Sequence, residues 1–203
     1  MARAYKRKKR GCFGRIVRGF VLLVLLVLVC ATALAGFLYF RPNASRIPVA
    51  LEYEVRTAVT DGTHNSNTDL IHWRDAFYLV HASSPWHFAS EECRLVVRRS
   101  EDAVTWEERA TLNAPGEDIR DPKFAVIGGT LFMYALKNTA WDAEPYRTVL
   151  STSTDGVSWT AWEDVDPEGW LFWRPKTPDG KTWYCPAYWH EHGKSILLKS
   201  ADG

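Results

Sequence analysis

The chain begins with one long apolar run and continues with short segments that alternate between apolar and polar side chains. Residues 20–40 contain no charged side chain and are dense in Val and Leu. A helix of this length rises about 30 Å, which is the thickness of the hydrocarbon core of a bilayer. The pattern predicts a transmembrane helix over residues 20–40, with a domain of strands beyond it.

After residue 63, short apolar runs occur in pairs, and each pair is separated by a turn signal. The predicted turns are Arg74 with Asp75, Gly128 with Gly129, and Asp179 with Gly180. Two-residue turns of the Gly-Gly and Asp-Gly kind join the strands of hairpins. The predicted strand pairs are 67–73 with 76–80, 120–127 with 130–135, and 173–177 with 181–188. No helix of useful length is predicted after residue 40, so this part is predicted to be all-β.

A short pattern of Ser, Asp and Trp recurs along these strands, with Asp two residues after Ser and Trp four residues after Asp. The serines lie 53 and then 47 residues apart. Repeats of this length are typical of propeller blades and solenoids. The Asp is expected to accept hydrogen bonds from backbone amides of a turn, and the Trp to pack between neighbouring sheets. The copies are Ser100, Asp102 and Trp106; then Ser153, Asp155, Gly156 and Trp159; then Ser200 and Asp202, which only Gly203 follows.

The pattern resembles the Asp-box of the sialidase (neuraminidase) superfamily, in a form one residue shorter than usual. Residues 64–71, 120–123 and 173–174 are similar to a divergent bacterial group of exo-α-sialidase-like proteins. The resemblance implies an all-β fold, a partial β-propeller of about three blades after the transmembrane helix. The repeats would cover about residues 64–113, 114–166 and 167–203. A complete six-bladed propeller needs about twice as many repeats, so we expect the chain to be a fragment.

Polar side chains fall at the entry ends of the first predicted strand of each repeat, and in a propeller these ends open onto one face of the axis. Arginine can hold a carboxylate with two hydrogen bonds, and Asp can act as acid, base or acceptor for a hydroxyl. Asp69, Lys123 and Arg174 fall at roughly equivalent positions. The alternative is local pairing of these charges between blades. The predicted catalytic residues are Asp69 and Asp121, and the predicted substrate-binding residues are Arg120, Arg174, Asn67, His64 and Lys123. Four other histidines, His81, His87, His190 and His192, are expected to be incidental.

The resemblance implies a glycoside hydrolase that acts on terminal sialic acid or a related sugar. In that family the nucleophilic Tyr and the last arginines come from later blades, so the truncated chain could be inactive. The alternative is a non-catalytic propeller that binds glycans or acts as a scaffold. A third reading rests on Arg120-Asp121-Pro122, the R-D-P motif of five-bladed fructan and arabinan hydrolases. It is less favoured because the order of motifs differs and no N-D-P-N-G sequence precedes them.

The distribution of charged residues predicts how the chain is oriented relative to the membrane. Residues 1–19 carry eight of the 25 Lys and Arg and no acidic residue, which places the N-terminus in the cytoplasm. Residues 41–63 are predicted to be a linker and entry strand, with everything beyond the helix outside the cytoplasm. The lipid bilayer and a glycan are the expected partners. A signal peptide cleaved after Ala35 is the alternative.

The part beyond the helix contains all 24 acidic residues and the other 17 basic ones, so its net charge is near −7. This balance does not favour nucleic-acid binding. Only Cys93 and Cys185 lie in this part, and either a disulfide or two buried thiols is open at this point. No C-x-x-C or H-E-x-x-H sequence occurs, so neither a metal nor a cofactor is predicted.

Overall fold

The computed structural model describes residues 12–40, 52–139, 147–165 and 167–201. The chain divides into two compact units, Met1–Tyr53 and Glu54–Gly203. Of the features predicted from the sequence, the basic segment up to residue 11, residues 41–51 of the linker and Asp202 lie outside the described residues.

The described part of the first unit contains the helix α1 (Cys12–Phe40). It starts eight residues before the predicted apolar span, because Arg15 and Arg18 are compatible with a helix although they are not apolar. The most apolar 18-residue window within residues 14–40 has a mean hydropathy of 2.9, and none of this window is buried. By length and composition, this helix can cross a membrane.

The described residues of the second unit form eleven strands in three antiparallel sheets, each ordered as the strands follow one another in the chain. Sheet 1 contains β1 (His64–Trp73), β2 (Ala76–Ser84), β3 (Arg94–Ser100) and β4 (Glu107–Asn113). Sheet 2 contains β5 (Glu117–Ile127), β6 (Thr130–Thr139), β7 (Arg147–Ser153) and β8 (Glu163–Asp164). Sheet 3 contains β9 (Trp170–Phe172), β10 (Trp183–Trp189) and β11 (Ser195–Ser200). These sheets form part of a β-propeller, as the sequence predicted.

The sheets are held together by two apolar seams, because alternate residues of the sheet 2 strands face opposite neighbours. Phe124 and Met133 are fully buried between sheets 1 and 2, whereas Ala125 and Tyr134 are buried between sheets 2 and 3. Trp159 stacks on Phe124 with ring centroids 6.3 Å apart. The tryptophan that follows the second Ser-Asp pattern therefore packs in the seam between sheets, as expected.

The first two predicted hairpin turns form, and the third does not. Arg74 and Asp75 have φ of 48° and 62°, and Gly128 and Gly129 have φ of 57° and 82°, which is the left-handed pair that a tight two-residue turn requires. In sheet 3 the prediction was wrong, since β9 ends at Phe172 and β10 starts at Trp183. Pro175 has no amide hydrogen to contribute to a ladder, and only Lys176 forms a bridge, with Tyr184.

The residues between β9 and β10 form a turn of the same kind as the Ser-Asp pattern. In the turns after β3 and β7, Asp102 and Asp155 each accept two backbone amides through Oδ1. Asp179 does the same for the amides of Lys181 and Thr182, at 2.9 and 2.7 Å, and Thr177 takes the place of Ser. Thr177, Asp179 and Trp183 match the spacing of the repeat with Thr as its first residue. We call these three loops the aspartate turns.

The two cysteines of this unit are free and buried. The Cys93 thiol donates to the carbonyl of Ile119 at 2.9 Å, and the Cys185 thiol donates to that of Trp173 at 3.3 Å. Burial raises the pKa of each thiol to about 11. Of the two possibilities left open by the sequence, the structure shows the pair of buried thiols.

Candidate functional site

A polar cleft of about 290 Å³ lies where the three sheets meet, at the entry ends of β1 and β5. We call it the axial cleft. It receives side chains from all three sheets, so the fold has to form before the cleft exists. Its lining residues are Asn67, His87, Arg120, Asp121, Leu136, Leu171, Tyr188, His190 and His192.

Two matching irregularities in the first strands point side chains into this cleft. The β1–β2 register shifts between Ser66 and Asp69, and the β5–β6 register shifts between Arg120 and Lys123. Asn67 and Asp121 sit inside these bulges with φ of 49° and 52°, a left-handed conformation that Asn and Asp tolerate better than most residues. The Asn67 side-chain amide donates to Asp121 Oδ1, which links sheets 1 and 2 across the cleft.

Arg120 lines the cleft while its guanidinium is held by a buried carboxylate. It pairs with Asp118, whose side chain is fully buried. Its Nη2 donates to Asp118 Oδ1 at 2.7 Å, and its Nη1 donates to the carbonyl of His87 at 3.0 Å. Asp118 also accepts the amide of Ser90 at 3.0 Å. The arginine is therefore fixed in orientation, with part of its hydrogen-bonding capacity directed into the protein.

Asp69 and Arg174 form an ion pair that joins the three sheets. Asp69, on β1, is 3% exposed, and it accepts the amide of Phe124 on β5 at 2.6 Å. It also accepts from Arg174 of the segment after β9, whose Nε lies 3.1 Å from Asp69 Oδ2. Neither residue is among those that line the axial cleft. The assignment of Asp69 as catalytic stays a prediction, and its burial favours a positioning role.

Lys123 occupies the place in sheet 2 that Asp69 occupies in sheet 1, because each is the first paired residue after the bulge. Its ammonium donates to the Asp121 carbonyl at 3.0 Å and lies 4.9 Å from the ring centre of Trp173. Burial lowers the pKa of Lys123. Arg174 lies in the segment between β9 and β10, two residues before the bridge at Lys176, and its equivalence to Asp69 and Lys123 stays a prediction.

Histidines and a tyrosine are the cleft residues that sequence reasoning missed. His87, Tyr188, His190 and His192 all line it, although the histidines were expected to be incidental. His64 does not line the cleft but contacts His87, since its Nε2 lies 3.2 Å from Nδ1 of His87. Tyr188 stacks on His192 with the two ring planes 13° apart. His87 follows β2, Tyr188 lies near the end of β10, and His190 and His192 follow it, all at the same end of the sheets as the bulges. The pairing register of the second strand in each sheet could therefore have identified them.

The arrangement is suited to a polar ligand with hydroxyl groups. Asp121 offers a carboxylate, Asn67 an amide and Arg120 a guanidinium, while Tyr188 and the histidines offer ring faces and further polar atoms. Asp121 is the one carboxylate among the described residues that line the cleft. No group of three or more His, Cys, Asp or Glu side chains suited to a metal ion occurs in the part of the chain that the structure describes.

Comparison with known proteins supports the fold through structure alone. No protein-family profile matches the chain, and no curated protein matches its sequence. Among solved structures, a Hadza microbial sialidase, Hz136, is 17% identical with a TM-score of 0.54, over 68% of this chain and 35% of that one.

Two further solved structures are similar over the same share of this chain. The β-fructofuranosidase BmSUC1 of Bombyx mori, of glycoside hydrolase family 32, is 19% identical with a TM-score of 0.52, over 68% of this chain and 33% of its own. The α-L-arabinofuranosidase Arb93A of Fusarium graminearum is 14% identical with a TM-score of 0.54, over 68% and 46%. The chain thus spans between a third and a half of these three proteins. The second unit is similar in fold to part of the propellers found in glycoside hydrolases.

Proposed function

We propose that the protein is a membrane-anchored propeller that binds a glycan in the axial cleft, outside the cytoplasm, and hydrolyses a terminal sugar there, with sialic acid as the first candidate. The observation that carries the proposal is the convergence of Asn67, Arg120, Asp121 and Tyr188, from three different sheets, on one cleft. The similarity of fold to a sialidase and to other glycoside hydrolases supports it.

Each of these side chains has a proposed role that follows from its chemistry. Asp121 acts as the acid or base, since its carboxylate lines the cleft and is oriented by Asn67. Arg120 attracts an acidic group of the sugar. Most glycosidases use two carboxylates, and sialidases replace the nucleophilic one by tyrosine. Tyr188 is the lining residue with that chemistry.

A non-catalytic glycan-binding propeller is the second candidate, and the hydrogen bonding of the cleft favours it. Asp121 is bound by Asn67, and Arg120 is bound by Asp118 and by the carbonyl of His87. Groups held in this way can recognise a ligand without transferring a proton. In this case the cleft binds a sugar with the same residues and releases it unchanged.

The test uses the full chain in detergent or nanodiscs. Sialyl-, arabinofuranosyl- and fructofuranosyl-methylumbelliferone serve as substrates, and free N-acetylneuraminic acid serves as a calorimetric ligand. Loss of a charged hydrogen-bond acceptor costs about 1.5–3 kcal/mol, so Asp121→Asn is expected to weaken binding roughly 10-fold or more. Asp75→Asn is the matched control, because Asp75 is exposed and shares the left-handed φ of Asp121. It lies in the turn between β1 and β2, at the opposite end of β1 from the cleft.

The outcomes separate the candidates. Turnover that Asp121→Asn abolishes and Asp75→Asn preserves supports the enzyme. Binding without turnover, again lost only in Asp121→Asn, supports the binding protein. Neither binding nor turnover of any of these sugars contradicts the proposed function, and so does equal loss in the two variants.

A further inference from the structure

The loop between β2 and β3, residues 85–93, carries two aromatic side chains that remain largely open to solvent. Trp86 and Phe88 are 43% and 67% exposed. They flank His87, which lines the axial cleft. Aromatic surface left in water next to a polar cleft is typical of a site where a ligand covers it.

This loop is fixed to the first strand of sheet 2. The amide of Ser90 donates to the buried Asp118 carboxylate at 3.0 Å, and the Cys93 thiol donates to the carbonyl of Ile119 at 2.9 Å. Within the loop, the Cys93 amide donates to the Ser90 carbonyl at 3.0 Å. Because the backbone is already held, covering its aromatic side chains with a ligand costs little conformational entropy.

Contacts of His87 place the loop at the rim of the axial cleft. Its carbonyl accepts from Nη1 of Arg120 at 3.0 Å. Its ring lies beside that of Phe88, with centroids 6.0 Å apart and the planes at 70°. Phe88 therefore lies next to the groups proposed to hold a sugar. Asp118 fixes this relation, since the same carboxylate binds Arg120 and the amide of Ser90.

A polar cleft with an aromatic rim suits two linked sugars better than one. A sugar ring has hydroxyl groups at its edge and C–H groups on its faces. The face of an aromatic ring carries partial negative charge, which attracts the hydrogens of C–H groups. The terminal sugar can form hydrogen bonds inside the cleft while the next one packs a C–H face on the rim.

We infer that Phe88, with Trp86 beside it, is the platform for the second sugar of a bound glycan. The inference rests on the proposed function, since the axial cleft must hold the terminal sugar. The ligand is then an oligosaccharide whose second unit is a pyranose with a continuous C–H face, such as galactose. The cleft recognises the terminal sugar, and the platform selects what is attached to it.

Calorimetry on the full chain in detergent or nanodiscs tests the inference with two probes. One is the methyl α-thioglycoside of N-acetylneuraminic acid, and the other is the same sugar joined through sulfur to lactose, so that hydrolysis does not disturb the titration. The lactose-linked probe is expected to bind more tightly. Phe88→Leu keeps an apolar side chain but removes the ring, and it is expected to weaken binding of the lactose-linked probe about 3- to 10-fold.

Phe88→Tyr is the matched control, because it keeps the ring and is expected to keep the affinity for the lactose-linked probe. Equal affinity of the original chain for the two probes contradicts the platform and leaves the proposed function standing. Equal weakening of both probes by Phe88→Leu also contradicts the platform, since the variant then acts on the cleft itself. Binding of neither probe contradicts the proposed function, and the platform with it.

Discussion

Gly156 shows that a neighbouring sheet can restrict which side chain fits at one position of a turn. It follows Asp155 in the second aspartate turn and has φ of +75°, and a Cβ placed on it would clash with the ring of Tyr78 in sheet 1, 2.9 Å from its Cζ. The other two aspartate turns have different constraints at the same position. Ala103 occupies it in the first with φ of 57°, and Gly180 in the third has φ of +71° with nothing within 4 Å of the added Cβ. A small side chain is therefore acceptable in the turn, and the close contact with Tyr78 is specific to Gly156.

We expect Gly156→Ala to be clearly more destabilising than Gly180→Ala. Overpacking against the buried Tyr78 costs about 1–3 kcal/mol of the free energy of unfolding, beyond the backbone strain that both variants share. Urea denaturation of the two variants and the original chain measures the difference. Equal losses would show that Tyr78 moves aside without cost.

Asp121 and Asp69 show that the position of a residue relative to a β-bulge decides the environment of its side chain. Both are aspartates near the start of a first strand, yet one lines the axial cleft and the other is buried under Arg174. The sequence proposed the same role for both. Their difference comes from the bulge, since Asp121 sits inside it and Asp69 follows it.

The aspartate turns are the elements that carry a measurable pH dependence. Backbone amides of Thr105 and Val104, in that order, lower the pKa of Asp102 to about 2 from its usual 3.8. The amides of Val157 and Ser158 hold the pKa of Asp155 well below its usual range, and those of Thr182 and Lys181 lower the pKa of Asp179. A lowered pKa in the folded state means that the ionised form stabilises the fold.

The stabilisation by these turns is thus present above about pH 4 and is lost as the pH falls from 3.8 towards 2. We expect the melting temperature to decrease through this range. The triple variant Asp102→Asn, Asp155→Asn and Asp179→Asn should melt lower at pH 7 and vary less with pH below 4. Calorimetry at pH 7, 4, 3 and 2.5 measures both effects, with exposed Glu91→Gln as the control. An acid slope unchanged in the triple variant would assign it to other carboxylates.

At the scale of the whole molecule, the basic N-terminal segment and α1 predict a topology. We expect the chain to remain in the membrane fraction after carbonate extraction, at its full-length mass. In sealed right-side-out vesicles, added protease should digest the second unit while an N-terminal tag stays protected, because basic residues remain on the cytoplasmic side.

Replacing the basic residues of the segment 1–19 by Gln should reduce the protection of the tag, and replacing basic residues of β3 should leave it unchanged. Recovery of a shorter soluble chain that starts after Ala35 would instead support signal-peptide cleavage. Protection of the second unit would contradict the orientation.

Much of the fold could be predicted from the sequence because its signals are local. The uncharged span, the alternating strands, the two tight turns and the aspartate turns after β3 and β7 all depend on residues within a few positions of one another. The third repeat was less predictable. Pro175 interrupts its first strand, and Thr177 replaces the Ser that marks the other aspartate turns.

The candidate site was predictable only in part. Asn67, Arg120 and Asp121 were recognised as polar residues at strand entries, and they do line the cleft. The positions of His87, Tyr188, His190 and His192 depend on where β2 and β10 end, and that depends on pairing partners far along the chain. A sequence pattern alone does not contain this information.

The sequence by itself determined that an apolar helix precedes an all-β unit of repeated hairpins, because hydrophobic periodicity and turn chemistry act over short distances. Only the tertiary structure decided which charges face the axial cleft and which are buried as pairs. Asp69 and Arg174 are brought together by contacts between sheets. Asp118 and Arg120 lie two residues apart on β5, and the segment between β2 and β3 covers them through the amide of Ser90 and the carbonyl of His87. A buried charge requires a partner, and which residue can be that partner is set by how the sheets pack.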